Sequence, residues 1–133
     1  VGTEVGRHGL RLIVLLESFA YRRGVPGDAD FVFDARFLPN PHWVPALRPL
    51  SGRDPEVRAY FEAEPAVAEY IDQIRTLIDH VLPRIEADDR AYLTLAVGCT
   101  GGRHRSVYII ERLAEHLRGQ DRDGIQVFHR ELS

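Results

Sequence analysis

Apolar and polar positions alternate in blocks along this chain, and the blocks have the lengths of strands and helices. Leu10–Phe19 (LRLIVLLESF) is a short apolar run that ends at polar residues. Phe31–Asp34 (FVFD) is a second, set between VPGDAD and a proline-rich stretch. Runs this short and this continuous predict buried strands. From Phe37 to Arg53 the text FLPNPHWVPALRPLSGR carries four prolines, which forbid a helix or a central strand and predict a long loop. Loops beyond about 12–15 residues are uncommon in compact domains unless they carry function.

Asp54-Pro55 supplies a capping residue and a first-turn proline, so a helix is expected to start there. A second helix follows Glu64-Pro65. Its apolar positions Val67, Tyr70, Ile71, Ile74, Leu77, Ile78 and Val81 repeat at helical spacing, which predicts one packed face and one wet face. Pro83 is expected to end or bend it. Ala91–Val97 (AYLTLAV) predicts a third buried strand. His104–Leu117 predicts a helix with Ile110, Leu113, Ala114 and Leu117 inward, and Ile125–His129 a last short strand.

The order β, β, α, α, β, α, β implies the α/β class: a single layered domain with a central, mostly parallel sheet flanked by helices, and at least one parallel pair bridged by the helix after Val97. The length of 133 residues fits one domain, with its core over about 10–132. Apolar residues make up 44% and the mean hydropathy is −0.22, the composition of a globular domain. No apolar run approaches the ~20 residues a membrane span needs. The single cysteine, Cys99, has no intramolecular partner, which fits a reducing, cytoplasmic compartment. Methionine is absent even at position 1, so the chain reads as part of a longer protein.

Charge narrows the chemistry. All 17 Lys+Arg positions are arginine. Without lysine there is no Walker-type nucleotide site and no Schiff-base or lysine-base catalysis, whereas arginine offers permanently charged planar forks for phosphate and carboxylate. The net charge of −3 hides an asymmetry: residues 54–90 hold ten acids against four arginines, the remainder ten against thirteen. The acidic helical pair reads as a solvated face.

The candidate chemistry lies in Gly98-Cys99-Thr100-Gly101-Gly102-Arg103-His104-Arg105-Ser106, between the third strand and the helix after it. Three glycines let successive N–H groups turn toward one point, and the new helix presents its positive N-terminus there. Three basic side chains, two hydroxyls and no acid make this an anion cradle suited to phosphate. Cys99 to Ser106 also fits C-x5-R-S, the phosphate loop of cysteine-dependent phosphatases, with Cys99 as nucleophile and Arg105 as clamp. That alternative needs a general acid on a neighbouring loop. Asp34 and Asp28 are available, and nothing in the sequence singles either out.

Beyond the loop itself, Glu17–Gly24 (ESFAYRRG), Asp30–Trp43 (DFVFDARFLPNPHW), Leu47–Asp54 (LRPLSGRD), Tyr92–Thr94 and Gly98–Tyr108 together resemble the C-terminal domain of the RNase adapter RapZ, also called the YvcJ family. The motifs GCTGGxHRS and DxRFLPNPHW carry the likeness, which runs from about Leu10 to Leu132. The resemblance implies a fold similar to part of a phosphofructokinase. It also implies a non-catalytic domain that senses glucosamine-6-phosphate and, in adapter members, binds a small regulatory RNA and presents it to a ribonuclease. It places the ligand at Cys99, Thr100, Gly101, Gly102, His104, Arg105 and Ser106, with Asp34, Arg36, Asn40 and His42 closing the site from the long loop.

RNA phosphates would meet the basic half, at Arg22, Arg23, Arg36, Arg48, Arg53, Arg103 and Arg130. No cofactor and no metal site are expected, and family members assemble into homo-oligomers. Full-length members also carry an N-terminal nucleotide-binding domain with a Walker lysine, absent here. Ala20 stands where the family usually has glycine. The basic tail of RNA-binding members is missing, and a pI near 6.1 is low for an RNA-binding domain.

Overall fold

The computed structural model describes residues 11–132. Four strands form one sheet in the order β2-β3-β1-β4: β1 (Ile13–Ala20), β2 (Phe31–Asp34), β3 (Tyr92–Cys99) and β4 (Ile125–His129). Every pairing is parallel, so the sheet is wholly rather than mostly parallel. The helices are α1 (Pro55–Glu62), α2 (Pro65–Ala87) and α3 (Arg105–Arg118). Leu10, where the first apolar run was expected to begin, lies outside the described residues.

Register explains which side of the sheet is buried. Val14 pairs with Leu93 and Leu16 with Leu95, while Val97 lies beside Ser18. These positions share one face, and their apolar members join a single buried cluster with Val57 and Phe61 of α1, Ile71, Ile74 and Ile78 of α2, and Ile109, Ile110 and Leu113 of α3. On the opposite face Tyr92, Val32 and Phe128 remain exposed. The helices therefore cover one side of the sheet.

Two boundaries differ from expectation. Strand β3 runs on through Gly98 to Cys99, because the ladder to β1 extends as far as Ala20 opposite Cys99. Helix α2 continues through Pro83 to Ala87. Pro83 sits on the exposed side, where solvent replaces the missing N–H donor, and Arg84 Nη1 adds a bond to the His80 carbonyl at 2.6 Å. The buried stripe of α2 is Val67, Ile71, Ile74, Ile78 and Leu82. It is narrower than the periodicity suggested: Leu77 is exposed, and Tyr70 and Val81 are half-buried. Among the described residues no helix is long and apolar enough to cross a membrane.

Candidate functional site

All four strands end on the same edge of the sheet, and the segment that follows each of them meets there. This is the edge where open α/β sheets usually hold ligands. After β1 comes a turn of 3-10 helix, Tyr21–Arg23; after β2 the proline-rich loop; after β3 the glycine-rich loop; after β4 the segment Arg130–Leu132.

The glycine-rich loop is fixed from behind. Gly102 has φ +72°, and a Cβ there would lie 2.6 Å from Glu131 Cγ and 2.9 Å from the Ala20 backbone nitrogen. Only glycine fits that conformation and that space. The N–H groups of Gly101, Gly102, Arg103 and His104 have no hydrogen-bond acceptor among the described residues. Unpaired backbone donors at a helix N-terminus are the physical definition of an anion cradle.

Over this loop opens a cavity of about 420 Å³, lined by Arg22, Asn40, His42, Trp43, Arg48 and the residues from Cys99 to Arg105. No carboxylate is among them. The Arg22 guanidinium stands about 4.0 Å from where a Cβ on Gly101 would be, and among the described residues none of the four lining arginines is paired with an acid. Arg48 Nε donates to the His42 carbonyl at 2.8 Å and Arg103 Nη1 to the Glu131 carbonyl at 3.4 Å.

Arg105 is buried, and its Nη1 donates to the carbonyls of Arg36 (2.7 Å) and Leu38 (3.2 Å). Its Nε has no partner. It thus ties the start of α3 to the loop after β2. His104 adds a second tie through Nε2, which lies 3.1 Å from the Leu47 carbonyl and donates to it. Burial, reinforced by the nearby Arg103 charge, holds the His104 pKa below the ordinary histidine value.

Of the residues expected to bind ligand, Cys99, Thr100, Gly101, Gly102, His104, Arg105, Asn40 and His42 come together on this cavity. Asn40 Oδ1 accepts from the His42 amide and so shapes the turn Pro41–Trp43. Three others lie off it. Ser106 is buried, its amide donating to Cys99 Sγ at 3.4 Å and its hydroxyl 3.2 Å from the same sulfur. Asp34 and Arg36 pair with each other, at 2.7 Å between Nη2 and Oδ2. That hydrogen bond from Arg36 outweighs desolvation and holds the Asp34 carboxyl below its usual range.

The residues expected at an RNA surface are also sorted. Arg22, Arg48 and Arg103 line the cavity, Arg36 stacks 3.7 Å above the Tyr21 ring, and Arg53 borders a neighbouring polar hollow with Arg103. Arg23 pairs with Glu131 (3.1 Å), and Arg130 with the buried Glu17 (3.2 Å).

Sequence reasoning did not assign Arg22, Trp43 and Arg48 to the ligand cavity, and it counted Arg103 in the anion cradle while placing it also at the RNA surface. The signal for Arg22 lay in strand order, since it follows the strand that neighbours β3. A buried polar relay was also missed. Ser18 and His129 are register partners on β1 and β4. Glu111 of α3 accepts from His129 Nε2 (2.8 Å), and the Ser18 hydroxyl lies 2.7 Å from Nδ1 of the same ring. Ser18 is fully buried, so the relay joins strands to helix rather than facing the cavity. Among the described residues no group of three or more His, Cys, Asp or Glu is placed to hold a metal ion.

Comparison with known proteins finds matches over nearly the whole chain. The RapZ C-terminal domain family matches residues 12–133. A nucleotide-binding protein of Xanthomonas campestris pv. campestris is 60% identical over 121 residues, covering 91% of this chain and 43% of the relative. One from Xanthomonas axonopodis pv. citri is 58% identical over 127 residues, covering 96% and 45%. One from Xylella fastidiosa is 56% identical over 125 residues, covering 94% and 43%. The chain therefore spans less than half the length of these relatives.

Proposed function

The chain belongs to the RapZ C-terminal domain family, and from that premise we propose that it is a non-catalytic sensing domain. It binds a phosphorylated amino sugar, with glucosamine-6-phosphate as the candidate ligand, in the cavity over the glycine-rich loop. The observation that carries this reading is the set of unpaired N–H groups from Gly101 to His104, facing a cavity with four arginines and no carboxylate. A phosphate ester supplies the acceptors that the loop lacks.

The phosphatase alternative is weaker on the same geometry. A general acid would have to stand beside the leaving group, and no carboxylate lines the cavity. The Cys99 residue is 2% exposed.

Calorimetric titration with glucosamine-6-phosphate and with glucosamine separates the possibilities. The phosphate ester is expected to bind and the free amine to bind far more weakly. Equal affinities would sink the reading. Release of phosphate from an aryl phosphate, lost in Cys99→Ser, would replace it with the enzyme.

RNA contact is a second reading, favoured by one feature outside the cavity. Phe37 is 67% exposed, next to an Arg36 guanidinium laid on Tyr21. An exposed ring beside stacked arginine is a platform for unpaired bases. Here a gel shift at low salt is expected to retain structured RNA, and Phe37→Ala to release it. Absence of any shift at tens of micromolar protein would leave the sensing role alone.

A further inference from the structure

An anion cradle needs a phosphate, but the cavity above it is larger than a phosphate and has a different kind of wall. That wall is Trp43, on the same cavity and 74% exposed. We propose that Trp43 is the specificity-determining residue of the site, its indole face receiving the amine-bearing ring of the phosphorylated amino sugar. This rests on the sensing function proposed above.

Three observations lead to it. The first is what the cavity lacks. An amino sugar carries an ammonium, and the lining offers it arginine, histidine, the Thr100 hydroxyl and an Asn40 oxygen already accepting from the His42 amide, but no carboxylate. The two acids close by in the fold are taken, Asp34 by Arg36 and Glu131 by Arg23. The surface left with negative potential is an aromatic face, and among side chains the indole attracts a cation best.

The second is that the turn carrying the indole is fixed before any ligand arrives. Pro41 is buried, and the Asn40 side chain caps the turn. The Trp43 amide donates to the Asn40 carbonyl at 3.3 Å, while Arg48 grips the carbonyl of His42. The His42 ring meets the indole edge to face at 5.3 Å. A large apolar ring carried on so restrained a turn, with the His42 ring against it, is pre-organised for contact, which lowers the ordering cost of binding. The third is contrast. The other strongly exposed ring near this edge, Phe37, packs against Tyr70 and does not line the cavity.

The test uses the fact that Trp43 is the sole tryptophan, so emission reports this wall and nothing else. Wild type, Trp43→Leu and Trp43→Phe are titrated with inorganic phosphate, glucose-6-phosphate and glucosamine-6-phosphate, followed by calorimetry and, in wild type, by emission. Wild-type emission is expected to respond to both hexose phosphates and to change little with inorganic phosphate.

The preference for the amino over the neutral sugar should fall about two- to fivefold in Trp43→Leu and recover in part in Trp43→Phe. Inorganic phosphate should lose less affinity than the amino sugar does. Saturation by glucosamine-6-phosphate with silent emission, or an unchanged sugar preference in Trp43→Leu, overturns this inference while leaving the sensing function intact. No calorimetric binding of any phosphate ester to wild type overturns both.

Discussion

The two ends of the sheet are built from the same materials and do opposite things with them. At the ends of the strands, the cavity of about 420 Å³ is lined by four arginines and no acid. At the other end a hollow of about 230 Å³ lies against Arg11, Arg122, Glu86, Asp121, Asp123 and Gly124. There each arginine has an acid: Arg11 pairs with Asp123, and Arg122 with Glu86 at 2.6 Å. Glycine, arginine and a hollow are common to both ends. The difference lies in the pairing. Where carboxylates neutralise the arginines the hollow closes on itself electrostatically. Where carboxylates are absent and backbone N–H groups are left open, the positive potential is kept for something outside the chain.

The comparison breaks most completely if the cradle itself is filled. Gly102→Val places a side chain against Glu131 Cγ and the Ala20 nitrogen at a φ of +72°, a conformation that costs a β-branched residue about 1–3 kcal/mol in strain alone. Phosphate-ester affinity should fall by a hundredfold or more and the melting temperature should drop. Gly101→Ala meets only the Arg22 guanidinium at 4.0 Å and should keep the wild-type melting temperature. Paired thermal melts and titrations check both halves, and a Gly102→Val protein that binds normally would show that the loop is not the anion site.

Next in size is an exchange of character. Arg22→Glu gives the ligand end the acid that the other end already has. Affinity for phosphate esters should fall tenfold or more, with stability to urea nearly unchanged because the side chain is exposed. Arg105→Ala makes the contrasting case. It leaves the carbonyls of Arg36 and Leu38 without their buried donor, so about 1–3 kcal/mol of folding stability should be lost together with affinity. An Arg105→Ala protein as stable as wild type would mean that the tie to the proline-rich loop contributes little.

His104 sharpens the contrast through pH. Burial holds its folded-state pKa below the ordinary value, so the unfolded chain takes up a proton near pH 6.5 while the folded chain resists. Stability is therefore full above that pH and declines as pH falls from about 6.5 toward the lower folded-state value. Urea unfolding of wild type and His104→Gln between pH 5 and 8 should show a slope in the wild type that the variant loses.

Much of this was legible in the residues. Four apolar runs marked the four strands, since parallel strands covered by helices need continuous apolar text, and the glycines and arginines after β3 announced the cradle because three glycines and three basic residues in nine positions have few other uses. What the residues did not show depends on strand order. Arg22 reads from sequence as a contact for RNA phosphate, and only the pairing of β1 with β3 brings it to the cavity. The Ser18–His129–Glu111 relay needs two strands far apart in sequence to lie in register. Trp43 reads from sequence as part of a motif, and only the ties from His104 and Arg105 place the loop that carries it against the cradle. Pro83 does not end its helix, because the cost of a proline there depends on whether solvent reaches the orphaned carbonyl, which sequence does not state.

The smallest effect expected is at the opposite end, and it tests whether unpaired charge alone makes a site. Glu86→Gln removes the acid from Arg122, leaving a cation in a hollow with a glycine beside it, superficially like the ligand end. An ion pair between partly exposed side chains contributes only about 0–1 kcal/mol, so unfolding should shift by less than that and the shift should shrink with added salt. The freed arginine should still bind no phosphate ester measurably, because no helix begins there and the carboxylates of Asp121 and Asp123 still line the hollow. Calorimetry of Glu86→Gln with glucosamine-6-phosphate, in the background of Arg22→Glu so that the proposed site is weakened, reads this directly. Measurable heat would mean that removing a carboxylate is enough to make an anion site in this fold, and that the geometry of the glycine-rich loop matters less than the charge balance around it.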